Sequence, residues 1–171
     1  MNRRNIFGLF VVTTLGVFLL SGSAFCQQKS LKEQLVGTWT LVSNDNVALD
    51  GTKRQIFGAN PKGILIFESN GRYAQIFVRP DRPKFKANNR LQGTPEEIKA
   101  AYEGALVHFG TWSITETDKT IVIHTEGALY PNQERTEGKR IIVRLTADDL
   151  NLANPTSGAG GATEAVFSRA K

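Results

Sequence analysis

His124 and Glu126 pose the first chemical question. They alternate along Thr120-Ile121-Val122-Ile123-His124-Thr125-Glu126, so an extended chain sets both on one face. A histidine beside a carboxylate is poised for proton transfer near neutral pH, and Tyr130 follows closely enough to join them around a cavity mouth. The plainer account makes each an ordinary hydrogen-bonded strand residue. His108 and Trp112 likewise share a face of the preceding run. Two histidines and an acid lack the close ligand spacing of a dedicated zinc site, so no metal is expected.

A second set points to binding. Tyr73, Gln75, Phe77 and Arg79 share one face of a strand, with Ala74, Ile76 and Val78 on the other. Turned inward, the first set gives a cavity an aromatic wall, an amide and an arginine at the rim. Arginine binds a carboxylate through two parallel hydrogen bonds, which suits an amphipathic ligand with an acidic group. Turned outward, the same residues merely meet solvent, and the pattern leaves both registers open. Arg79 also begins a basic stretch in which Arg79, Arg82, Lys84, Lys86 and Arg90 face only Asp81. Such a stretch is either a solvated loop or a positive portal that steers an acidic ligand or touches anionic headgroups.

Other chemistry is missing. There is no Gly-x-Ser-x-Gly elbow, no phosphate-cradling glycine loop and no dinucleotide fingerprint, so no cofactor is expected. Gly158–Gly161 precedes a strand rather than a helix. The formal charge is +5, and Arg3 and Arg4 leave with an N-terminal leader. Of 21 Lys and Arg, 19 then remain against 16 Asp and Glu, about +3. That mild excess argues against nucleic acid as a partner.

The leader consists of Arg3 and Arg4, an apolar run from Ile6 to Leu20, and the small residues Ser21-Gly22-Ser23-Ala24. The run is shorter than the ~20 residues that span a bilayer. Residues 1–26 therefore form a cleaved secretory signal, and 27–171 a single secreted or periplasmic domain. Cys26 stands where a lipoprotein carries its lipid, but Phe25 is too bulky for the position before it, which makes lipid anchoring the lesser alternative. As the only cysteine it allows no internal disulfide, so burial of a core must stabilise the fold.

The elements that place these residues are strands. Ile64–Glu68 and Tyr73–Arg79 flank Ser69-Asn70-Gly71-Arg72, a strong hairpin signal. Thr94-Pro95-Glu96-Glu97 combines an N-cap, a proline at the first helical position and acids in the first turn. It predicts one short helix over 95–103, too small for a core and suited to lid or plug a barrel. Lys139–Leu145 alternates, with Ile141, Val143 and Leu145 expected to face inward and Arg140 and Arg144 outward. About eight or nine strands with short connections predict an all-β, antiparallel meander barrel.

Four pieces of the chain carry a resemblance. They are Gly37-Thr38-Trp39; Asn60-Pro61-Lys62-Gly63 with Tyr73 and Arg79-Pro80-Asp81-Arg82-Pro83; Gly93-Thr94-Pro95-Glu96-Glu97; and Glu126-Gly127-Ala128-Leu129-Tyr130-Pro131-Asn132. In this order they resemble the bacterial lipocalin-like domain family of the calycin group, over about residues 31–169. The resemblance implies a single antiparallel barrel with an inner cavity, often a small-molecule binder, and supplies no agreed catalytic set. It also implies structural roles for Gly37, Trp39 and Arg169, the arginine stacking on the tryptophan to close one barrel end.

Three functions fit. The first is a carrier of a small apolar or amphipathic molecule, with Tyr73, Phe77, Arg79, Arg82, His108, Trp112, His124 and Tyr130 as candidate ligand contacts. The second is an envelope interaction module using the basic stretch 79–90. The third is a cofactor-free acid–base isomerase or cyclase built on His124 and Glu126. The leader yields the first prediction: protein recovered from its own cells has the intact mass of a chain beginning at about Gln27. A mass that includes the first 26 residues contradicts cleavage.

Overall fold

The computed structural model describes residues 29–158 and 160–171. The leader and Cys26 lie outside the described residues. The first element is a helix that the sequence pattern did not announce, α1 (Leu31–Leu35). Ser30 and Glu33 cap it reciprocally, each side chain holding the other's backbone N–H. The strands follow: β1 (Gly37–Val47), β2 (Lys53–Gln55), β3 (Lys62–Phe67), β4 (Arg72–Val78), β5 (Ala105–Thr115), β6 (Thr120–Ala128), β7 (Glu137–Leu145), β8 (Asp149–Asn154) and β9 (Ala162–Arg169). The expected helix is α2 (Pro95–Glu103), and a 3-10 turn, Pro131–Gln133, joins β6 to β7.

From β3 to β9 sequence neighbours are sheet neighbours, β2 pairs with β1 rather than with β3, and all pairings are antiparallel. β1 carries three partners. It pairs with β3 from Gly37 to Thr40, with β2 from Asp45 to Val47, and along most of its length with β9. That last pairing closes an eight-stranded barrel, with β2 as an extra short strand. Closure leaves no long unpaired edge to template aggregation.

Alternation then decides what faces inward. On β4 the buried residues are Tyr73, Gln75 and Phe77, which resolves the register that the sequence left open. On β6 they are Ile121, Ile123 and Thr125. The sides expected for β7 are reversed over residues 140–143, whereas Arg144 stays exposed and Leu145 packs on the core, as expected. Ile142 is buried and Arg140 turns inward, whereas Ile141 and Val143 are 41% and 57% exposed. A register shift between Ile142 and Arg144 breaks the period-two pattern, which is why simple alternation misassigned the strand.

One end of the barrel is sealed. Trp39 is fully buried, and its indole N–H donates to the Leu35 carbonyl at 2.8 Å, tying α1 across the opening. The Arg169 guanidinium stacks 3.9 Å from the Trp39 ring centroid. It donates to the carbonyls of Gln34 (2.6 Å), Ala147 (2.7 Å) and Val36 (3.1 Å). Gly37 allows this approach: its φ is +130°, and a Cβ there would stand 2.9 Å from Arg169 Nη1. Trp112 packs at the same end, 4.7 Å from Phe67 between ring centroids, with its N–H on the Glu68 carbonyl.

Arg169→Met should lower the unfolding free energy by about 2–3 kcal/mol, since it removes charged donors from carbonyls that stay half-buried. Arg169→Lys should recover little, because an ammonium cannot span the same carbonyls. Urea denaturation reads both, and an unchanged midpoint in Arg169→Met would make the pair dispensable.

Candidate functional site

The end opposite the tryptophan seal is hollow. A cavity of about 510 Å³ runs into the barrel there. Its apolar lining comes from Phe77, Leu106, Leu152, Ala165 and Phe167 on the strands, together with Ile56 and Phe57 after β2. Phe77 packs on Phe57 edge-on at 5.9 Å and on Phe167 at 5.8 Å between centroids, so three strand regions meet at one aromatic cluster. Polar groups interrupt the lining: Gln75 on β4, Arg140 on β7, and Asn44, Asn154 and Thr163 where β1, β8 and β9 approach the rim.

The mouth is framed by Tyr102 and Glu103 at the end of α2, by Leu129, Tyr130 and Gln133 in the β6–β7 connection, and by Ser157 and Gly158 after β8. Thr94 and Glu97 form a capping box that starts α2. The Glu97 carboxylate is buried and accepts from the backbone N–H of Thr94 (2.9 Å) and Lys86 (3.0 Å). These donors hold its pKa below the usual carboxylate value and tie the preceding loop to the helix. Ile98 stays half-exposed, so α2 rims the cavity rather than plugging it.

A polar cluster is buried deeper in the barrel. Tyr73 Oη lies 3.0 Å from His108 Nδ1 and 3.2 Å from the Thr125 hydroxyl. His108 is 1% exposed, and its Nε2 has no hydrogen-bond partner among the described residues. Burial, helped by the nearby positive charge of Arg140, pushes its pKa down to about 4, so the imidazole is neutral at physiological pH. Burial likewise raises the Tyr73 phenol. A register shift at Phe109/Gly110 presses Gly110 against the His124 carbonyl, where any Cβ would collide.

The candidate residues separate on this frame. Phe77 and Tyr130 line the cavity. Tyr73 and His108 point inward as a bonded pair outside its lining. Trp112 belongs to the sealed end. The grouping of His124, Glu126 and Tyr130 around the mouth does not form. His124 and Glu126 share a face as expected, but it is the outer one: Glu126 pairs with Arg72 at 2.6 Å, and His124 stands 3.8 Å from Glu137. The physical reason is that Ile121, Ile123 and Thr125 take the inward positions of β6. Arg79 and Arg82 are also outside the cavity. Arg79 pairs with Asp81 at 3.0 Å, and Arg82 donates to the Arg79 carbonyl beside a separate shallow depression. Arg140 was missed as a site residue because it was expected on the wet face of β7.

A meander barrel sealed by a tryptophan–arginine stack at one end and hollow at the other defines a lipocalin-like architecture. The chain belongs to the lipocalin-like domain family, whose profile matches residues 36–167. Among solved structures it is similar to a lipocalin-like protein from Bacteroides uniformis, at 17% identity and a TM-score of 0.46, over 80% of this chain and 99% of that one. It is also similar to a redesigned β-barrel, at 14% identity and a TM-score of 0.44, over 84% of this chain and all of the other. No curated protein matches the sequence.

His108 predicts an acid-sensitive fold. The unfolded chain takes up its proton near pH 6.5, whereas folded His108 resists protonation until about pH 4. The stability it contributes is complete above the first value and is lost as pH falls toward the second. Unfolding free energy should drop by about 2 kcal/mol from this group between about pH 7 and 5. His108→Gln, measured by urea denaturation across that range, should flatten the slope by that amount; a slope like the wild type's would clear His108 as its source.

Proposed function

We propose that the mature protein is exported and holds one small apolar or amphipathic molecule inside the barrel. The observation that carries this reading is the cavity: about 510 Å³, with a mainly apolar lining, at the barrel end opposite the tryptophan seal. That volume falls within the ~300–1,000 Å³ usual for small-molecule sites. Taking its apolar walls and an apolar ligand body out of water favours binding, and Tyr102, Leu129 and Tyr130 extend the apolar surface to the rim. The leader supports export. Membership of the lipocalin-like family agrees with a carrier role, although a shared fold alone never specifies a ligand. The acid–base alternative draws no support from His124 and Glu126, which face solvent.

The test is titration with Nile red, an uncharged apolar dye. Binding should saturate at one dye per chain and raise the thermal midpoint. Ala165→Phe, which grows a side chain into the lining, should weaken uptake about tenfold or more while the barrel still folds. Absence of saturable uptake by the folded wild type would end the carrier reading, as would uptake indifferent to Ala165→Phe.

A further inference from the structure

The cavity holds a cation that the fold leaves without a counter-ion. Arg140 projects from β7 into the barrel, opposite the buried Ile121 of β6. No carboxylate pairs with it among the described residues, where every ion pair engages other groups. Its guanidinium donates to a single acceptor there, the carbonyl of the adjacent Lys139 at 2.9 Å. Most of its donors are therefore unspent. Burial depresses its pKa from the ordinary arginine value, opposed by the Tyr73 phenol. The neutral imidazole of His108 adds no second charge.

The surroundings match one kind of ligand. The Gln75 amide lines the same cavity and makes no side-chain hydrogen bond among the described residues, so it offers a further donor. Phe57, Phe77, Leu152 and Phe167 supply an apolar wall for a hydrocarbon body. Glu103, the acid at the mouth, stands 3.9 Å from Lys99 and forms no ion pair with Arg140 among the described residues. An unpaired interior charge is costly to hold, and a fold that keeps one inside a hollow is arranged for an opposite charge to arrive. Guanidinium geometry favours a planar carboxylate, which it grips through two parallel hydrogen bonds.

We propose that the ligand is an amphipathic carboxylic acid whose carboxylate is bound by Arg140, with Gln75 as a second donor and the aromatic wall around its chain. This inference rests on the carrier reading and narrows it to a ligand class. Arg140 thereby takes the role that the sequence pattern offered to Arg79.

The experiment compares cis-parinaric acid with its methyl ester, which share one fluorescent chain and differ in charge. The wild type should bind the acid at least about tenfold more tightly than the ester. Arg140→Gln should erase that preference by weakening the acid alone, and Arg140→Met serves if the glutamine variant does not fold. Equal binding of acid and ester by the wild type overturns the Arg140 anchor while leaving the carrier reading intact. An acid preference that survives loss of the arginine also overturns it. Failure of the folded protein to take up either probe overturns both proposals.

Discussion

The stack of Arg169 on Trp39 is the contact on which the barrel depends. Arg169 ends the last strand and Trp39 begins the first, and the two are directly opposed in the β1–β9 ladder. Closure joins residues far apart in sequence, so it carries the largest loop-closure cost in the fold. The guanidinium offsets that cost at one point by bonding carbonyls from three places: the end of α1, the link to β1 and the β7–β8 turn. Gly37 belongs to the same device, since a side chain there would displace the arginine. The seal thus combines burial, cation–π contact and charged hydrogen bonds in one residue pair.

A firm seal at one end lets the other end stay open. Trp39, Trp112, Phe67 and Leu35 pack the closed half with large side chains. The hollow half uses Ala165, Gln75, Asn44 and Thr163 at inward positions, side chains too small or too polar to fill it. A barrel of eight strands has an interior just wide enough to be filled by side chains or to hold one small ligand. Here the choice is made along each strand, and β9 illustrates it: Phe167 toward the seal, Ala165 and Thr163 toward the mouth.

The interior is also electrically uneven. Tyr73, His108 and Thr125 form a neutral hydrogen-bonded set, and Arg140 stands near it as the charge the cavity presents. The low pKa of His108 follows from burial first and that charge second, so both belong to one interior field. The solvent face of the same wall carries balanced pairs, among them Arg72 with Glu126. Some outer charges are paired in this way, whereas Arg140 inside the barrel has no ion-pair partner among the described residues.

Local signals were enough for much of the fold. Asn70-Gly71 between two β-rich runs marked the β3–β4 hairpin and Thr94-Pro95 with Glu97 marked α2, whereas the closing roles of Gly37, Trp39 and Arg169 came only from the family resemblance. The first two rest on turn chemistry and capping, which act over a few neighbours. The site was less legible. The two isoleucines of β6 could have turned His124 and Glu126 outward, since the more apolar face goes inside; the β7 pattern instead favoured the wrong face. There the deciding events are a register shift after Ile142 and an outer surface that tolerates Ile141 and Val143. Sequence by itself determined that this chain makes a closed antiparallel barrel with a tryptophan end. Only the tertiary structure decided that the barrel is hollow at the other end and that Arg140, rather than Arg79, stands inside it. The reason is that strand faces are assigned by closure and bulges, which involve partners that no local window contains.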